Sequence, residues 1–125
     1  MISFKEWLNE QDLNEGIRVD PILARELVRD QVKALNKILT RIAKIKKYTA
    51  IKAVKLDSNI KSVKKIADLG YDYAVLVNDN DRASVLLKAD VNEIFDYVDH
   101  DKGTEVSDDF TKQFYPTQIF GLRGE

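Results

Sequence analysis

The sequence predicts an α+β fold in which a long N-terminal helix precedes a small mixed β-sheet containing a β-hairpin. Three observations predict it. Behind Asp20-Pro21, apolar residues recur at three- and four-residue steps, and residues 22–47 contain no Gly or Pro. That is the signature of one amphipathic helix of about 25 residues. Two apolar runs, Tyr71 to Val77 and Ala83 to Ala89, flank the turn cluster Asn78-Asp79-Asn80-Asp81, the pattern of a hairpin. The chain has 125 residues, 44% hydrophobic and 33% charged, which suits one domain with a core of its own.

In chain order, residues 1–19 form a leader and linker, and residues 20–125 form a single globular domain with an aromatic C-terminal tail. Ser3 and Glu6 make a capping box for a short helix. Phe4, Trp7 and Leu8 fall on one face of that helix at i, i+3, i+4 spacing. So short a helix is marginal alone in water. It needs either its own domain or a partner groove, for which Phe4 and Trp7 are suitable anchors. Gln11 to Val19 reads as a polar linker. Asp20 then caps the long helix, with Pro21 at its first position.

Leu23, Leu27, Val28, Leu35, Ile38, Leu39, Ile42 and Ile45 make the apolar stripe of that helix. Arg25, Arg29, Lys33, Lys37, Arg41 and Lys44 make a second, basic stripe. Residues 48–56 fit either a strand or a continuation of the helix, and a strand is adopted. Asp57-Ser58 caps a helix carrying Ile60, Val63, Ile66, Ala67 and Leu69, with Gly70 as its C-terminal stop. The hairpin follows. A further short helix then carries Val91, Ile94, Phe95 and Val98, capped by Asp90 or Asn92. The acidic tail after Asp99 closes on Phe110, Phe114, Tyr115, Ile119, Phe120 and Leu122. A strand–helix–strand unit over residues 48–77 implies a right-handed parallel crossover, hence the mixed sheet.

Composition excludes several chemistries. There are no cysteines, so disulfides, thiol catalysis and Cys-based metal sites are absent. One His leaves a zinc site dependent on carboxylates, an uncommon ligand set. No apolar stretch reaches the roughly 20 residues that span a bilayer, and the N-terminus lacks the pattern of a secretory signal. A soluble protein without membrane, metal or cofactor is expected.

Charge is uneven. Residues 25–65 hold thirteen Lys/Arg against three acids, and residues 66–125 hold thirteen acids against five bases. Such a chain either pairs its halves internally or offers a basic face to an anionic partner. The basic stripe can follow a phosphate backbone non-specifically. It nevertheless drifts by about 40° per four-residue step, and residues 21–47 contain no aromatic residue for base stacking.

Two clusters resemble catalytic or metal loops and fail on spacing. Asp99-His100-Asp101-Lys102-Gly103-Thr104 lacks the bidentate Glu of a calcium loop, since Phe110 stands there. It reads as a solvated helix exit. Asp79, Asp81 and Lys88 suggest a nuclease hairpin, but Leu86 occupies the position two before the lysine where an acid is needed. No Ser or Cys is arranged with His100 for nucleophilic work. No catalytic residue is assigned.

The leader carries a different signal. Met1, Phe4-Lys5-Glu6-Trp7-Leu8 and Glu10, with Leu8-Asn9-Glu10 echoed by Leu13-Asn14-Glu15, resemble the capsid-targeting leaders of T-even-like bacteriophage internal head proteins. The resemblance covers about fifteen residues, and the body is less uniformly basic than those proteins. It implies that Phe4, Glu6, Trp7 and Leu8 dock on the prohead core, and that the prohead protease cuts at Leu8-Asn9-Glu10 or Leu13-Asn14-Glu15. It also implies a place in the virion interior and then the host cytoplasm, where the protein binds a host or phage macromolecule. Two other readings are a structural or assembly component that oligomerises through residues 21–47, and a nucleic-acid-binding accessory protein using the basic stripe. A small enzyme whose site no local motif announces is a further one.

Overall fold

Asp20 and Pro21 start a helix as their chemistry requires, but the helix they start is short. The computed structural model describes residues 16–125. The leader docking residues Phe4, Glu6, Trp7 and Leu8, and both Leu-Asn-Glu sites, lie outside the described residues. Helix α1 spans Pro21–Ala24, with Asp20 accepting the Ile22 N–H at 3.1 Å. Helix α2 spans Arg29–Lys46 and is the longest helix. The single helix expected over 22–47 is therefore two helices joined by a turn.

Helical phase explains the break. At about 100° per residue, Leu23 on a continuous helix would sit about 120° away from Leu35, off the buried face. Both residues are nonetheless 0% exposed. An extended Val28 (φ −76°, ψ 159°) resets the phase so that each reaches the core. Asp20 adds a second hold, because its other carboxylate oxygen accepts the Ala53 N–H at 3.2 Å. Helix α2 ends at Lys47, whose left-handed φ of 62° lets the Tyr48 N–H turn back to the Ala43 carbonyl at 2.8 Å.

The strands are β1 (Ile51–Leu56), β2 (Tyr73–Asn78), β3 (Ala83–Lys88), β4 (Glu93–Asp96), β5 (Asp99–Glu105) and β6 (Gln118–Gly124). They form one six-stranded sheet in the order β1-β6-β2-β3-β4-β5, and every neighbouring pair is antiparallel. The fold is α+β, but the sheet is not mixed. Strands β1 and β2 do run parallel, yet β6 lies between them and pairs with both. The strand at 51–56 and the hairpin β2–β3 match the sequence reading.

Three further assignments need correction. Helix α3 spans Val63–Asp68 and is capped by Ser62, not by Asp57-Ser58. The Asp57 carboxylate instead accepts the Asn59 N–H in a local turn at 2.9 Å. The helix expected at 91–98 is absent: Asn92, at φ 52°, turns the chain, and β4 pairs with β3 and β5. Pairing supplies hydrogen bonds that a four-residue helix could not. Residues 99–105 accordingly form edge strand β5 rather than a helix exit. Within the aromatic tail, Phe110–Lys112 is a 3₁₀ turn and Ile119, Phe120 and Leu122 belong to β6.

Strand alternation sorts the core into two layers. Val75, Val77, Leu86, Phe120 and Leu122 face α2, where they meet Leu35, Ile38, Leu39 and Ala43. Ala74, Leu76, Leu87 and Ile119 face the other way, toward Val63 and Ile66 of α3 and Phe110. The helices thus lie on opposite faces of the sheet.

Asp108 ties the second layer together. Its carboxylate accepts the Ser62 hydroxyl at 2.6 Å and the Lys64 N–H at 2.9 Å. These bonds, led by the Ser62 hydroxyl, hold its pKa below the usual carboxylate value of 3.8. A depressed carboxylate stabilises the fold above its unfolded pKa, and that contribution falls away as pH drops through the folded value. Asp108→Asn is therefore expected to shallow the loss of stability below about pH 4, measured by urea melts across pH. An unchanged acid limb would contradict this.

Candidate functional site

Geometry turns the basic stripe of α2 into a face. At about 100° per residue, Leu35, Ile38, Leu39, Ile42 and Ala43 cluster on one side of the helix. Arg29, Lys33, Lys37, Arg41 and Lys44 fall within a fan of about 120° centred on the opposite side. All five are exposed. The expected drift is real, but it is spread symmetrically about the outward pole. Arg25 is exposed too, but it stands in the turn between α1 and α2, outside this fan.

The acidic half of the chain does not neutralise the face. Among the described residues, Arg29, Lys33, Lys37 and Lys44 make no ion pair. The single acid within α2 is Asp30, in its first turn, where a negative charge complements the helix dipole. Lys33 follows Arg29, and Lys37 follows Lys33, at i,i+4. Like charges so placed each cost about 0.2–0.5 kcal/mol, a cost that a bound anion removes.

Polar residues on the margin of the fan build one wall beside it. Asn36 Oδ1 accepts the Val19 N–H at 2.6 Å, and Thr40 Oγ1 accepts the Ile17 N–H at 2.9 Å. Thr40 also donates to the Asn36 carbonyl at 2.7 Å. These bonds fix residues 17–19 along α2, with Val19 buried, so the span read as linker is packed from Ile17 onward. Between this segment and α2 runs a groove of about 1090 Å³. Arg18, Lys33, Lys37 and Lys44 line it with Ile17, Ala43 and Tyr48, and no acid does. Arg18, Asn36, Thr40 and Tyr48 are its unexpected members. The available signal was Asn36 and Thr40, two polar residues one turn apart on the flank of an apolar stripe.

On the other flank of α2 a smaller cavity of about 190 Å³ is lined by Ile42, Ile45, Leu86 and Phe95, with Arg41, Lys46 and Lys88 at its rim. Ile45 is 73% exposed, and Lys88 Nζ lies 5.8 Å from the centre of the Phe95 ring.

The residues that resembled catalytic loops do not converge. Asp79 holds Gln118 at 3.1 Å and Asp81 lies near Asn78 at 3.4 Å, while Lys88 is at the far end of β3. Asn78 Oδ1 accepts the Asn80 N–H at 3.0 Å, so the cluster is a hydrogen-bonded turn. Asp99 pairs with Lys102 at 3.3 Å on the edge strand. Among the described residues, no group of three or more His, Cys, Asp or Glu could hold a metal, and no helix is long and apolar enough to cross a membrane.

A polar contact of another kind lies under the α1–α2 turn. Gln118 bridges Asp79 and Glu26, the latter at 3.0 Å, and Ser84 donates to Gln31 at 2.6 Å. Nearby Tyr97 is 2% exposed. Burial pushes its phenol well above the ordinary value, with Ser84 acting in the opposite direction. Its hydroxyl stays neutral across the physiological range and serves no acid–base role there.

The chain matches no protein-family model, no curated protein and no solved structure. Function is therefore argued from the site.

Proposed function

We propose that this is a non-enzymatic bacteriophage virion protein, carried into the head by its leader, whose folded body holds a polyanion on the exposed face of α2. The observation that carries the binding half is the fan of Arg29, Lys33, Lys37, Arg41 and Lys44, centred away from the core and exposed throughout. Successive members at four-residue steps rise about 6 Å along the helix axis, a spacing that suits consecutive phosphates. With no aromatic residue on α2, stacking on bases is not available. The fit is to a nucleic-acid backbone rather than to a sequence.

The targeting half rests on the resemblance at Phe4–Leu8 and on the two Leu-Asn-Glu sites. The apolar stripe of α2 is occupied within its own domain by the sheet. That leaves Ile45 and its neighbours as a small apolar surface for a host or phage protein or a second copy.

Fluorescence anisotropy of the full chain with a short DNA duplex tests the binding half. The logarithm of the association constant is expected to fall linearly with the logarithm of salt, by about 0.9 per phosphate neutralised. Lys33→Glu with Lys37→Glu should weaken binding and reduce that slope by about two. Affinity indifferent to salt, or absent at low salt, removes the phosphate reading. For targeting, the decisive observation is the first residue of the chain recovered from mature particles. A start at Met1 rules out cleavage.

A further inference from the structure

We infer that residues 1–15 of this same chain occupy the groove beside α2 and shield its lysines. The inference rests on the polyanion reading for its consequence, but not for its evidence. Residues 1–15 carry Glu6, Glu10, Asp12 and Glu15 against Lys5, an excess of acid. The groove carries Arg18, Lys33, Lys37 and Lys44 with no acid in its lining. The two are complementary in charge. They also match in their apolar parts, since Ile17, Ala43 and Tyr48 line the groove and Phe4, Trp7 and Leu8 stand in the segment.

Connectivity adds the second argument. Gly16, the residue that follows Glu15, itself lines the groove, so the segment enters at the rim rather than from a distance. Fifteen residues reach up to about 50 Å when extended, and α2 is about 27 Å long. A tether this short holds the segment at an effective concentration in the millimolar range, where individually weak surface charge pairs suffice to populate a docked state. Arg29 lies outside the groove lining, so part of the basic fan stays open. Loss or displacement of the segment frees Lys33, Lys37 and Lys44 for a polyanion. The acids that resemble a processing site are then also the acids that cover the working surface.

Trp7 is the sole tryptophan, so its fluorescence reports on this segment alone. In the full chain at low salt, Trp7 should emit to the blue of a free indole and resist acrylamide. Lys33→Glu with Lys37→Glu should raise its quenching constant about threefold, the scale set by losing two or three exposed charge pairs. Glu10→Lys with Asp12→Lys should do the same, and combining both pairs should restore protection. Carbodiimide coupling of the native chain should join Glu10 or Asp12 to Lys33, Lys37 or Lys44, read by peptide mass spectrometry, which needs no variant to fold. Trp7 quenched as freely as tryptophan amide in the native chain, protection unmoved by either charge swap, or couplings only to other lysines would each overturn the inference. No polyanion is present in these measurements. Failure to bind DNA leaves them standing, and their failure leaves DNA binding standing.

Discussion

Phe120→Ala is expected to cost about 3–5 kcal/mol of stability, the range for removing a fully packed aromatic ring. Phe120 is 2% exposed and sits between Lys55 of β1 and Val75 of β2 in the sheet register. Its ring fills the layer beneath α2 together with Leu122 and Leu39. Neither flanking strand can close on the space, because β6 is hydrogen-bonded on both sides. Small domains have only about 5–15 kcal/mol in total, so the variant should sit near the edge of folding. Urea denaturation measures it, with the midpoint moving and the slope held. Tyr115→Ala supplies the contrast from the same aromatic tail, since Tyr115 is 68% exposed and should cost under about 0.5 kcal/mol. A loss below about 1 kcal/mol for Phe120→Ala would contradict the placement of β6 in the core.

The next largest effect is expected at the neighbouring residue. Gly121→Val should cost about 1–3 kcal/mol through overpacking. A Cβ at Gly121 would come within 2.7 Å of the Tyr71 ring, closer than such atoms approach. Tyr71 is 7% exposed, and the Arg123 guanidinium covers it at 4.8 Å from the ring centre, so the ring has no room to swing away. A double-mutant cycle isolates the cause. In a Tyr71→Ala background the penalty of Gly121→Val should largely disappear, as it does for residues that share one contact. An equal penalty in both backgrounds would assign the cost to the strand backbone instead.

The parts of the fold legible in the sequence were those set by local rules. Alternating burial and the Asn-Asp turn announced β2 and β3, and the apolar and basic stripes of residues 29–46 announced α2. The misreadings share one cause, pairing between residues distant in the chain. Val91, Ile94, Phe95 and Val98 have helical spacing, yet β3 and β5 recruit residues 93–96 as a strand. Ile119, Phe120 and Leu122 look like a tail until β1 and β2 leave a gap between them. The join between α1 and α2 was hidden because Leu23 and Leu27 fit the period locally, while the depth to which Leu23 is buried is a tertiary matter. At the candidate site the basic residues were legible from their spacing. The groove was not, since it depends on Asn36 and Thr40 catching residues that precede α2.

The insertion of β6 between β1 and β2 has a consequence for synthesis. A ribosome makes this chain from the N-terminus, and β1 and β2 emerge well before the strand that joins them. In that interval each displays an unpaired edge, the kind of surface on which growing chains associate wrongly. The sheet can close only after residues 118–124 have cleared the exit tunnel. Its assembly is then limited by a contact that spans most of the domain, a topology that slows folding. Folding of this protein is therefore a late event in its translation, and the nascent chain is the form most in need of a chaperone.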